Sequence, residues 1–176
     1  MGKDLDGAPL HLAGPWELTN QEKGPEQRLI YRKEMFPGKF IYKRFTFYDD
    51  SYVIDLEVDL KEISNNIYRN SEIVWSGGLK PTEENIADDI YYFNSYVYQG
   101  GELENLKVGK GDSEKTTLNG TTDWAAIRTK YFTVALVPKN AHSISSVTLS
   151  GIGDTTETYS ASFVFDPLEN HNFQLY

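Results

Sequence analysis

The sequence predicts an all-β, antiparallel sandwich, on three observations. Hydrophobicity repeats every two residues over long stretches, turn dipeptides separate those stretches, and helix signals are scarce. Tyr52, Ile54, Leu56, Val58 and Leu60 alternate with Asp55, Glu57 and Asp59, as in a strand with one wet face. Tyr159, Ala161, Phe163 and Phe165 alternate as cleanly with Thr158, Ser160 and Ser162. Residues 40–47 are β-rich, although Lys43 and Arg44 break their alternation. Residues 91–98 and 131–137 carry apolar side chains on both parities, which predicts strands covered on both faces. Shorter strands are expected over 27–32, 72–76, 103–108, 115–118, 146–149 and 172–175.

The punctuation fits hairpins. Residues 48–51 (Tyr-Asp-Asp-Ser) lie between a pair of strong strands, Asn119-Gly120 is a primed-turn dipeptide, and residues 151–154 (Gly-Ile-Gly-Asp) separate two β-rich runs. Residues 81–85 and 124–129 each suit one short helical turn. Neither is long enough for the crossover helix of a parallel sheet. Residues 1–26 read as an irregular lead-in, because Gly and Pro recur too often for a regular element, and residues 27–176 as the sandwich.

The chain has 176 residues and a net charge of −9. This length fits one domain burying ~70% of its unfolded surface. With 39% hydrophobic residues, including 12 Tyr and 9 Phe, it has more apolar matter than a disordered acidic tail. The acidity argues against nucleic acid as a partner, since phosphate binding needs a basic face. No apolar run approaches the ~20 residues that span a bilayer. The absence of cysteine excludes a disulfide framework, a thiolate zinc site and a thiol nucleophile.

Candidates for chemistry are few. His11, His142 and His171 share no local metal-ligand spacing and read as solvated imidazoles. Asp55, Glu57 and Asp59 form a stripe that reads as a solvated strand face. Glu83, Glu84, Asp88 and Asp89 form a loop patch without calcium-loop spacing. Residues 109–113 (Gly-Lys-Gly-Asp-Ser) lack Walker spacing and a following helix, and read as a polar hairpin tip. No catalytic, cofactor or metal residue is assigned. The aromatic residues remain: Tyr91, Tyr92, Phe93, Tyr96 and Tyr98, with Trp75 and Trp124, can line a groove for sugars or an extended peptide, or fill the space between two sheets.

The stretch 122–138, Thr-Asp-Trp-Ala-Ala-Ile-Arg-Thr-Lys-Tyr-Phe-Thr-Val-Ala-Leu-Val-Pro, is the most distinctive. It resembles the motif that ends the large periplasmic domain of the YidC membrane protein insertase family. The order of the preceding strands and the closing Phe173-Gln174-Leu175-Tyr176 are similar as well. The resemblance implies a β-super-sandwich of the galactose-mutarotase type, incomplete where strands expected ahead of it are missing, with Met1-Gly2 as an added start. It also implies a place on the periplasmic side of the inner membrane, within a parent that inserts and folds membrane proteins alone or beside the Sec translocon. Its expected partners are the parent's transmembrane part, Sec components and nascent membrane proteins. Insertion belongs to the parent's membrane helices, so no insertion residue is assigned to this chain. Trp124, Tyr131 and Phe132 are expected to pack the end of the sandwich. The mutarotase likeness raises an alternative, a carbohydrate-binding sandwich or mutarotase-like enzyme. That chemistry needs a His and a Glu on facing strands, and neither His142 nor His171 is expected within a strand.

Overall fold

In the computed structural model, which describes all residues except 1, 11, 13, 69, 77, 81–83, 154–156 and 169–170, the alternating segments form two stacked antiparallel sheets. The strands are β1 (Gly2–Lys3), β2 (Pro9–Leu10), β3 (Glu17–Glu22), β4 (Glu26–Phe36), β5 (Lys39–Tyr48), β6 (Ile54–Asp59), β7 (Ser71–Trp75), β8 (Asn94–Gln99) and β9 (Glu102–Leu106). They continue with β10 (Ser113–Asn119), β11 (Thr122–Arg128), β12 (Thr133–Pro138), β13 (Ile144–Gly153), β14 (Glu157–Phe165) and β15 (His171–Leu175). One α-helix, α1 (Ile86–Tyr92), and two 3-10 turns (Lys61–Asn66 and Ala141–Ser143) are the helical elements described.

The long sheet has nine strands in the order β3-β4-β5-β6-β15-β12-β11-β8-β9. The short sheet has four, β10-β13-β14-β7, and β1 and β2 pair separately. Every pairing is antiparallel. The core lies between the sheets, where the period-two residues meet: Leu56, Val58, Val97, Ala125, Ile127 and Phe173 from one sheet, Val147, Leu149, Tyr159, Ala161, Phe163 and Phe165 from the other. Phe173 stacks on Phe163 with ring centroids 6.1 Å apart. The Tyr159 hydroxyl accepts a hydrogen bond from the Val108 amide at 3.1 Å, tying the layers together at a polar point inside the core.

Several local expectations differ from the structure. The lead-in is not wholly irregular, because β3 pairs with β4 along its length. All six β3 residues are exposed, so this edge strand has no apolar face to betray it. Residues 124–129 belong to β11 rather than to a helical turn: Ala125 to Arg128 are in register with both β8 and β12, so the three-and-four spacing of apolar residues was coincidental. Tyr91 and Tyr92 close α1, and β8 starts only at Asn94. The expected start of that helical turn, residues 81–83, lies outside the described residues. Asn119-Gly120 does not cap a hairpin. Gly120, at φ +115°, carries the chain from β10 in the short sheet to β11 in the long one. Residues 109–113 likewise cross from β9 to β10, docked on Gly153, which donates to Asp112 O. β13 and β14 pair as a hairpin, but Gly151, Ile152 and Gly153, expected in its turn, are strand residues of β13 opposite Tyr159, Thr158 and Glu157, and Asp154 lies outside the described residues. Pro37-Gly38 closes β4 and β5, with Gly38 at φ +71° where a type II turn requires a residue without Cβ.

Candidate interaction surfaces

Charge on β6 is organised by cross-strand pairing. Arg44 on β5 bonds Glu57 at 2.9 Å and Asp59 at 3.1 Å, so its break in the β5 alternation serves the outward face. Asp55 accepts from Lys139 Nζ and the Tyr48 hydroxyl, both at 2.8 Å, and from Gln174 Nε2 at 3.0 Å. Burial raises the Asp55 carboxyl, but the three donors outweigh it and hold the carboxyl below its ordinary value. The same hydrogen bond, helped by burial and the facing carboxylate, raises the Tyr48 hydroxyl. The stripe is thus a paired face rather than a merely solvated one. No cluster of three or more His, Asp or Glu fit for a metal is found among the described residues.

The histidines separate. His11 lies outside the described residues. His142 is exposed on the turn before β13, its Nδ1 3.4 Å from the Thr121 hydroxyl. His171 departs from expectation: it opens β15 and is 2% exposed. Its ring lies 4.1 Å from Phe165, and Nε2 meets the Asp166 carbonyl oxygen, so the imidazole joins the strand to the preceding turn.

Nine strands facing four leave a portion of the long sheet without a partner strand. Over β4 to β6 that inner face borders a cleft of about 330 Å³, closed on its far side by β7, Leu60 and Ile63. Lys43 lines it, pointing inward between Ile41 and Phe45, with its ammonium 4.5 Å from the centroid of Trp16. Burial pushes this ammonium below the usual lysine range, and Lys33 adds to the effect. The second break in the β5 alternation is therefore a cation turned toward the core and sheltered by an aromatic face.

The aromatic candidates divide into three settings. Trp124 stacks on Tyr98 at 5.8 Å and 14°, on the side of the long sheet opposite Val97 and Ala125. Tyr96 shares that outer side, and its hydroxyl accepts from Asn94 Nδ2 at 3.4 Å. Trp124, Tyr96 and Tyr98 are only half-buried on this outer side, whereas Val97 and Ala125 on the inner side are fully buried, which corrects the expectation that β8 is covered on both faces. Trp75 ends β7 opposite Ala161 and packs on the core, with its Nε1 buried and unbonded among the described residues. Tyr92, Tyr131 and Phe132 are exposed. The packing role expected of Tyr131 and Phe132 is absent: Thr129 N donates to Phe132 O at 2.8 Å, and this tight turn throws both rings outward. The sequence pattern placed the aromatic residues on the correct segments. It missed Lys43, whose only signal was a cation at an inward parity.

Fold and surfaces together define a two-layer all-β domain whose notable features are an apolar cleft and aromatic surfaces. Comparison with known proteins gives the family. The model of the YidC periplasmic domain matches residues 6–171, and this chain belongs to that family. It is 30% identical over 173 residues to the membrane protein insertase YidC of Prosthecochloris aestuarii, covering 93% of this chain and 29% of that protein. It is 34% identical over 143 residues to the YidC of Chlorobium luteolum, covering 79% of this chain and 24% of the relative. The chain spans under a third of the length of these relatives. Membership places the domain on the periplasmic side of the inner membrane. No helix among the described residues is long and apolar enough to cross a membrane.

Proposed function

We propose that the chain is the non-catalytic periplasmic body of a membrane protein insertase, supporting insertion and folding of inner-membrane proteins as scaffold and interaction surface. The observation that carries this reading is the family match over residues 6–171, which takes in the short sheet and the long sheet up to the start of β15. The relatives' name, membrane protein insertase, supplies the activity of the parent. Its partners on this reading are the parent's transmembrane part, Sec translocon components and nascent membrane proteins. The paired carboxylates of β6 and the structural setting of His171 support a body without acid–base work to do. The test is insertion of a single-span substrate into proteoliposomes by the full-length parent and by a version with residues 6–176, β3 included, replaced by a flexible linker. Insertion that persists at reduced yield supports a supporting scaffold. Insertion abolished while the membrane part stays folded would place an essential step in this domain and contradict the reading.

A further inference from the structure

Seven aromatic side chains are exposed among the described residues: Tyr52, Tyr68, Tyr91, Tyr92, Tyr131, Phe132 and Tyr176. Strand register sets six of them at one end of the long sheet. Ile54 pairs with Leu175, Leu175 with Leu136, Arg128 with Thr133 and with Asn94, and Ser95 with Leu106. Tyr52, Tyr176, the 129–132 turn and the C-terminal end of α1 therefore lie side by side, across a row from β6 to β8 roughly 20 Å wide. Only Tyr68 sits at the opposite end, beyond the 3-10 turn that follows β6.

Cations accompany these rings. The ammonium of Lys107 lies 4.9 Å from the Tyr91 centroid and donates to the Tyr91 carbonyl oxygen, and that of Lys130 lies 5.0 Å from the Tyr131 centroid. Arg128 is exposed beside them. Acidic residues flank the row at both ends, Asp49 and Asp50 before Tyr52 and Asp88 and Asp89 in the α1 sequence before Tyr91, so the cations beside the rings are Lys107, Arg128 and Lys130, just past β9, on β11 and in the turn after it. In a chain of net charge −9, the tip is set apart by its exposed rings and by the cations that lie against two of them.

We infer that this aromatic end is a membrane-interface contact, resting on the headgroup and upper acyl region of the adjacent bilayer. Tyrosine rings are stable at that depth because the ring body is apolar and the hydroxyl wet. Lysine and arginine beside them reach anionic headgroups, while the acidic flanks are repelled by the same surface, which fixes the domain upright. The inference builds on the proposal that the domain stands beside a bilayer in its parent, but it is tested without any insertion assay.

The test is sedimentation of the 176-residue chain with phosphatidylethanolamine/phosphatidylglycerol vesicles. It compares the native chain with Tyr91→Ser/Tyr92→Ser/Tyr131→Ser/Phe132→Ser and with Tyr68→Ser as the control at the opposite end. The fourfold variant is expected to partition about tenfold more weakly, and Tyr68→Ser like the native chain. Phe132→Trp, which keeps an aromatic ring at the tip, is expected to shift its emission to the blue when vesicles are added, and this readout decides the matter should the fourfold variant not fold. Absence of vesicle binding by the native chain, unchanged binding by the fourfold variant, or an unshifted Phe132→Trp spectrum would each overturn the inference. Loss of lipid contact with insertion intact would leave the scaffold reading standing alone.

Discussion

Phe173 shows how one buried side chain supports both layers. It is fully buried on β15 of the long sheet, stacks on Phe163 and touches Phe165 of β14 in the short one, so truncation removes two ring contacts between the layers at once. Phe173→Ala is expected to cost about 3–5 kcal/mol, seen as a fall in melting temperature of about 10 °C for a chain of this size. Asp55 gives the pH-dependent counterpart. Its carboxyl is held below its ordinary value in the folded state, so the stability it contributes is present above about pH 4 and lost as pH falls through the depressed value. Asp55→Asn should lower stability at neutral pH and flatten the acid limb of the stability profile, measured by urea denaturation across pH. At this scale the sequence was a partial guide. The Asp55-Glu57-Asp59 alternation told which face is polar, but Lys139 and Gln174, which hold Asp55, lie 84 and 119 residues away. No local pattern carries that pairing.

At the scale of elements, β13 and β11 bear the clearest consequences. Gly151 lies within β13, where an added Cβ would sit 2.8 Å from Val108 Cγ1 and 2.9 Å from the Tyr159 ring. Gly151→Ala is expected to destabilise the fold by about 1–3 kcal/mol through overpacking, read as a lower urea midpoint with an unchanged slope. On β11, Trp124→Ala removes the stack on Tyr98 and opens the outer side of the long sheet. A loss of about 1–2 kcal/mol is expected, a melting shift of about 2–8 °C, and an unchanged melting temperature would show that the ring is held for another purpose. Strands with a buried face, such as β6 and β14, were legible because burial writes itself into alternation. The exposed edge strand β3 was not, since charge and polarity on both faces satisfy an edge without leaving a period. Residues 124–129 misled because an inward Ala-x-Ile and an outward Trp mimic helical spacing. Asn119-Gly120 misled because turn chemistry fixes a bend, not whether the two strands it joins share a sheet.

Across the whole molecule, unequal sheets explain the surfaces. The short sheet covers only a portion of the long one, leaving the cleft around Lys43 and, on the far side, the stacked Trp124 and Tyr98. The fold class followed from periodicity alone, whereas the stacking of nine strands on four did not, because layer membership depends on contacts between distant segments. The aromatic end was invisible for the same reason, since register brings Tyr52 and the 129–132 turn together from opposite halves of the chain. The three tryptophans happen to report on the surfaces that matter: Trp16 on Lys43 at the cleft, Trp75 on β7 and Trp124 on the outer face of the long sheet. Titration of the chain with galactose, glucose and peptidoglycan fragments, followed by tryptophan fluorescence, therefore examines the claim of a passive body at all three places. The expected result is a flat response to each sugar, and a saturable change with any of them would mean that the sandwich is a carbohydrate-binding or mutarotase-like domain instead.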